Sequence, residues 1–242
     1  MMLPLSEKVI SHRGASAYAP ENTFAAFNKA LAMGSHQIEF DVVLSADGVP
    51  FVFHDEYLNR TTNGSGAIGM VTAEYLSSLD AGSWFSKTYL NEKIPLFRDV
   101  IDWLMTHSVH ANIEIKPFPG KTEETTRAVL ETIREHWKDP HSWPLLSSFD
   151  LEALQLCIQL EPEMPRGYLL HRWDKDWLKK AATLECSAMH INHKILTPKR
   201  VASMKAAGYL LLAYTVNNAS RAQTLFDWGV NAVFSDYPDI LE

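Results

Sequence analysis

The strongest constraint in this sequence is a rhythm. Short apolar runs alternate with amphipathic stretches from one end of the chain to the other. The runs fall at residues 9–11, 37–44, 111–115, 145–148, 167–170, 188–192, 210–216 and 232–235. Helical patterns lie between most of them. In "NTFAAFNKALAMG", Phe24, Phe27, Ala30 and Leu31 share one face, with Asn22 as the expected N-cap and Gly34 as a stop. "TEETTRAVLETIREHW", "DLEALQLCIQLEP", "TPKRVASMKAAG" and "NASRAQTLFDWG" read the same way. Strand–helix alternation repeated eight times predicts an α/β fold in which a parallel sheet closes into a (β/α)8 TIM barrel. A chain of 242 residues suits one such barrel. The alternative, an open doubly wound sheet, normally carries a glycine-rich phosphate turn after its first strand. "SHRGASAYAPEN" lacks the GxGxxG spacing.

One region departs from the rhythm. After Glu39 and Asp41 comes "VVLSADGVPFVFHD", where Asp47-Gly48 separates two alternating apolar runs. That is a hairpin signal. Folding back about this turn brings His54 toward Glu39 and Asp41. The returning run is read as a hairpin arm on the second barrel strand, not as a ninth barrel strand. Residues 55–95 are polar and rich in turn residues, with one short helix expected at 73–79. They are expected to form an insertion capping one mouth of a single domain that spans residues 1–242.

Composition narrows the partners. The chain is 46% apolar and 21% charged, with a net charge of −7 and a pI near 5.8. That balance argues against general binding to nucleic acid or to anionic membranes, and leaves room for a local basic pocket. No apolar run is long enough to span a bilayer. The start, "MMLPLSEKVI", lacks a basic segment followed by an apolar stretch. The expectation is a cytoplasmic protein. Cys157 and Cys186 fit no metal or redox spacing and read as buried, reduced thiols. No heptad or exposed apolar stripe points to an oligomeric state.

Barrel active sites lie at the C-terminal ends of the strands. The polar residues expected there are His12 and Arg13, Glu39 and Asp41, Glu114 and Lys116, then Ser147, Ser148 and Phe149, and finally Thr215 and Asn217. In "IEFD" the two carboxylates are two residues apart, so a strand places both on one face. "NIEIK" adds Glu114, with Lys116 again two residues on. Three converging carboxylates repel unless a cation neutralises them. Salt bridges to Arg13 and Lys116 are one answer; a hard divalent cation is the other. His12 and His54 fit an acid–base pair, because imidazole titrates near neutral pH. Arg13 and Lys116 suit an oxyanion such as phosphate. Trp84, Phe149, Tyr214 and Asn217 are candidate substrate-binding residues, the three aromatics as walls. His107, His110, His136, His141 and the other remaining histidines are expected in loops or on the surface. Glu21 in "PENT" falls outside any expected strand.

Read in order, "HRG", "PENT", "IEFDVVLSADGVPFVFHD", "LNRTTNG", "NIEIK", "LLSSF", "YTVN" and "WGVNAVFSDYP" resemble the glycerophosphodiester phosphodiesterase family. The likeness runs from about residue 9 to 238, and is nearest to short cytoplasmic bacterial members. "HINHKIL" at 190–196 strengthens it without suggesting a role. The resemblance implies a barrel with a small insertion, and metal-dependent hydrolysis of glycerophosphodiesters to sn-glycerol 3-phosphate and an alcohol. It implies His12 and His54 as the acid–base pair and Glu39, Asp41 and Glu114 as ligands of Mg²⁺, Ca²⁺ or Mn²⁺. It also implies Arg13 and Lys116 as phosphate contacts. Many members carry Trp at the position of Tyr214 and Thr at that of Ser235, differences that bear on pocket shape and on the alcohol accepted. Two other readings stand beside this one: a lysophospholipase D-like enzyme, and a phosphate-ligand-binding barrel without turnover.

Overall fold

In the computed structural model, which describes residues 7–139 and 142–242, each apolar run is a β-strand. The strands are β1 (Val9–His12), β2 (Gln37–Leu44), β3 (Pro50–Val52), β4 (His110–Ile115) and β5 (Leu145–Ser148). They continue with β6 (Arg166–Leu170), β7 (Ala188–Asn192), β8 (Leu210–Tyr214) and β9 (Ala232–Ser235). All except β3 pair in parallel, and β1 pairs with both β9 and β2, which closes the ring. The result is the eight-stranded (β/α)8 barrel that the alternation predicts. β3 lies outside the ring, antiparallel to β2, with Val42 opposite Val52 and Leu44 opposite Pro50. Gly48 adopts φ 81° in the intervening turn, a conformation that costs glycine little.

Alternation along the strands separates two environments. On β2, Ile38, Phe40 and Val42 point out to the helices, where they pack with Phe27, Phe97 and Ile113. Gln37, Glu39 and Asp41 take the other face. Deeper in the barrel that inner face is apolar: Ile10, Leu145, Ala188, Leu212, Ala232 and Phe234 form one cluster. Truncating a fully buried ring such as Phe40 to alanine costs about 3–5 kcal/mol. Register sets the level at which the charges emerge. His12 pairs with Glu39, and Asp41 pairs with Glu114. Adjacent strands lie roughly 4.8 Å apart, so this register alone makes the acids neighbours.

The helices are α1 (Phe24–Ala32), α2 (Ala73–Ser78), α3 (Phe97–His107), α4 (Thr122–His136), α5 (Leu151–Leu160), α6 (Trp177–Thr183), α7 (Pro198–Ala206) and α8 (Ala219–Trp228). α3 and α6 are not among the helices expected from the sequence. α3 does bury an i, i+3, i+4, i+7 stripe (Phe97, Val100, Ile101, Leu104); α6 is too short for a clear period. The expectation that Asn22 caps α1 is overturned. Thr23 is the N-cap and accepts from the Ala26 amide. Asn22 sits at φ 57° with its side chain turned away, donating to Asp41 Oδ2 at 3.0 Å. A buried acid outcompetes a helix end for that amide.

Between β3 and α3 the chain makes 3-10 turns at Leu58–Arg60, Ile68–Met70 and Lys87–Tyr89, together with α2. Leu58, Ile68, Leu76, Leu79 and Ile94 pack with Val43, Phe51 and Phe53 into a satellite apolar cluster on the hairpin. Cys157 and Cys186 are free and buried, and burial pushes both thiols up to about 12. Among the described residues, no helix is long and apolar enough to cross a membrane. His141 lies outside the described residues.

Candidate active site

The acids meet at the C-terminal mouth of the barrel. Glu39, Asp41 and Glu114 each offer an oxygen, and these oxygens lie within 4.8 Å of one another. All three are buried. Burial pushes the Glu39 carboxyl well above its ordinary range, and the charges of Asp41 and Glu114 add to the effect. Burial and Asp41 push Glu114 up to about 8. Asp41 goes the other way. Burial opposes its ionisation, but Lys116, Arg13 and His54 and the Asn22 hydrogen bond hold it below the usual carboxylate range. Lys116 Nζ and Arg13 Nε each stand 3.5 Å from Asp41. Two cations thus serve one acid, while the other two carboxylates lack a full partner. An all-oxygen, under-neutralised donor set of this kind can hold a metal ion.

Two histidines face the same space, and each is tethered by a carboxylate. His12 Nδ1 lies 2.6 Å from Asp236 Oδ1, and its Nε2 lies 3.9 Å from Glu39 Oε2. Asp236 also accepts from Ser16 at 3.0 Å and from Asn217 at 2.5 Å. Burial would raise Asp236, but His12, Asn217 and Ser16 overcome it and hold the acid at about 2. His54 Nδ1 lies 2.6 Å from Asp55 Oδ1. Burial lowers His54, helped by Arg13 and Lys116 and opposed by Asp41 and Asp55. With Nδ1 engaged on both rings, Nε2 is the nitrogen left for chemistry.

Backbone strain gathers here. Arg13 takes φ 56° and Gly14 φ 79°, and the Arg13 amide donates to the Glu39 carbonyl at 2.8 Å. A left-handed non-glycine residue costs roughly 1–2 kcal/mol, which the surrounding bonds offset. The glycine of "SHRG" is fixed twice over: by its φ, and because a Cβ would stand 2.7 Å from the Ala26 carbonyl carbon.

A cavity of about 470 Å³ opens above these groups. His12, Arg13, Glu39, His54, Glu114, Phe149 and Tyr214 line it, as do Asn112 and Thr215. Phe149 meets Tyr214 edge-on at 6.0 Å. Lys116 reaches the site through Asp41 and is not part of the lining. Asn217 faces Asp236 in a neighbouring recess. Trp84 is not brought to the cavity; its indole N–H donates to the Ala81 carbonyl and its ring abuts Phe85.

Several residues here were missed or misread from the sequence. Asp55, Asp236 and Arg60 carry no role in the sequence pattern, and Asn22 reads there as a helix cap; Asp55 directly follows His54, and that adjacency is the available signal. The placing of the remaining histidines in loops or on the surface fails for His190. It is fully buried in β7 and lines the cavity beside Asn192, His193 and Lys194, all from "HINHKIL". Inward alternation from Ala188 would have found it. Burial lowers its imidazole to about 3. Its ring lies over Gly167, where a Cβ would stand 2.5 Å from Nε2. His171 and His193, in the loops that follow β6 and β7, also line the cavity.

The chain matches the family model described as the glycerophosphoryl diester phosphodiesterase family over residues 12–240. It is 34% identical to a glycerophosphodiester phosphodiesterase of Bacillus subtilis (strain 168), over 96% of this chain and 84% of that protein. It is 32% identical to the enzyme of the same name from Caldanaerobacter subterraneus subsp. tengcongensis, over 96% of this chain and 95% of that one. Among solved structures it is similar to an Oleispira antarctica phosphodiesterase in complex with the product sn-glycerol-3-phosphate. That pair has a TM-score of 0.94 and 41% identity, over 97% of this chain and 95% of the other. The fold, the mouth of the barrel and the length of these matches agree: this chain belongs to the glycerophosphoryl diester phosphodiesterase family.

Proposed function

We propose that the protein hydrolyses glycerophosphodiesters to sn-glycerol 3-phosphate and an alcohol, with His12 and His54 as acid–base pair. The observation that carries the reading is the pairing of each imidazole Nδ1 with a carboxylate at 2.6 Å, on the wall of one cavity that also holds the acid cluster. Nδ1–H donation to Asp236 or Asp55 leaves Nε2 to take or give a proton. One ring removes the proton of the nucleophile, and the other protonates the departing alkoxide. The nucleophile is either the 2-hydroxyl of the glycerol arm or water; the same pair serves both.

Glu39, Asp41 and Glu114 would hold a divalent cation, Mg²⁺, Ca²⁺ or Mn²⁺. When bound, it supplies Lewis-acid withdrawal of charge from a phosphoryl oxygen. Arg13 and Lys116 hold phosphoryl oxygens and stabilise the charge that gathers on them. Phe149 and Tyr214 wall the substrate. Asn217 acts on the site by fixing Asp236. Residues 1–242 are read as one domain in which residues 55–95 cap the mouth; the bonds that Arg60 makes to Glu21 and Asp55 support this.

The test is hydrolysis of a panel of glycerophosphodiesters, followed by enzymatic detection of sn-glycerol 3-phosphate. It is run after chelation and with each cation restored in turn. The expected result is release of glycerol 3-phosphate that needs the cation, and a loss of about 10²- to 10⁴-fold for His12→Ala. Near-normal turnover by that variant sinks the assignment.

A further inference from the structure

Two arginines distant in sequence converge on one carboxylate. Glu21, between β1 and α1, accepts from Arg13 Nη1 at 2.7 Å. It also accepts from both terminal nitrogens of Arg60, each at 2.7 Å. The other edge of the Arg60 guanidinium, Nε and Nη2, donates to Asp55 at 2.6 and 2.8 Å. Asp55 Oδ1 is the atom that holds His54 Nδ1. An unbroken series of charges therefore runs from Arg13 through Glu21, Arg60 and Asp55 to His54.

We infer that Arg60 is a positioning residue that sets the imidazole of His54 through Asp55 and the guanidinium of Arg13 through Glu21. The inference rests on the acid–base and phosphate roles proposed for those two residues. Arg60 is outside the cavity lining and touches no reacting atom. His54 and Asp55 follow β3 in an irregular segment, so no ladder of hydrogen bonds fixes them. Arg60 comes from a 3-10 turn anchored by the fully buried Leu58. It transmits that rigidity to the loop. A planar fork with five donors makes a two-point contact with each of two carboxylates at once; an ammonium, with three donors on one atom, cannot hold both in that fixed geometry. A half-exposed ion pair does little for stability, so the consequence of the network is geometric.

The test compares steady-state hydrolysis of a glycerophosphodiester by the full-length wild type, Arg60→Met, Arg60→Lys, Asp55→Asn, Glu21→Gln and the Arg60→Met/Asp55→Asn double variant. Arg60→Met is expected to lower kcat/KM by about 10²-fold with the thermal unfolding midpoint little changed. Arg60→Lys recovers only a small part of that loss. Asp55→Asn acts mainly on kcat, and Glu21→Gln mainly on KM. The double variant falls no further than its worse parent, because both substitutions break the same linkage. Wild-type rates in folded Arg60→Met, full recovery by Arg60→Lys, or additive losses in the double variant overturn the inference. Should Arg60→Met fail to fold, the Arg60→Lys rate and the split between Asp55→Asn and Glu21→Gln decide it. An inactive wild type overturns the activity reading and this inference together; an active wild type with an unaffected Arg60 variant overturns this inference alone.

Discussion

His12 and Asp236 are 224 positions apart and share a hydrogen bond of 2.6 Å. β1 pairs with β9, Ser11 opposite Ser235, so the residue after each partner emerges at the same point on the rim. Asp236 is itself locked by Asn217, whose Oδ1 accepts the Asp236 amide at 2.9 Å while Nδ2 grips the carboxylate. The imidazole is held by an acid that is in turn held by the loop following β8.

Asp236→Asn keeps the shape of this contact and removes its charge. The amide no longer favours the tautomer that leaves Nε2 free. We expect kcat to fall by about 10²-fold or more while circular dichroism stays unchanged, measured on a glycerophosphodiester at saturating cation.

Cation binding has a signature independent of turnover. Metal-stripped protein carries three acids with oxygens within 4.8 Å of one another, two of them, Glu39 and Glu114, without a full partner. A divalent cation at a hundred times its Kd stabilises a protein by about 2.7 kcal/mol, which is roughly 5–10 °C in Tm for a chain of this size. Scanning fluorimetry should show that rise with Ca²⁺, Mg²⁺ or Mn²⁺. It should be absent in Glu39→Gln and Glu114→Gln.

His190 gives the fold an acid-side weakness. Its pKa is pushed down from 6.5 to about 3 by burial, and neither ring nitrogen has a partner among the described residues. Between those values the unfolded chain binds the proton and the folded chain refuses it. The contribution is fully present above pH 6.5 and is lost as pH falls toward 3. The limiting slope is about 1.4 kcal/mol per pH unit. Urea unfolding at a series of pH values should show this slope in the wild type and a shallower one in His190→Gln.

The same ring explains a glycine. Gly167→Ala places a methyl 2.5 Å from His190 Nε2 in a packed interior. The expected cost is about 1–3 kcal/mol. In a His190→Ala background the added methyl should cost far less, and a double-mutant cycle by urea denaturation measures the difference.

Local pattern settled much of this protein. Strand periodicity alone aligned Glu39 with Asp41, and the alternation of strands with helices specified the barrel. Asp47-Gly48 between apolar runs returned His54 to the acids. These are short-range properties, written within a few residues of where they act. What only the tertiary structure decided is which remote groups meet: Asp236 on His12, Asn22 on Asp41 instead of on a helix end, Arg60 across Glu21 and Asp55, and His190 over Gly167. Those contacts depend on the register with which the ring closes and on where loops land around its rim. No local period encodes either, because closure joins the first strand to the last and loop conformation follows from packing with distant partners.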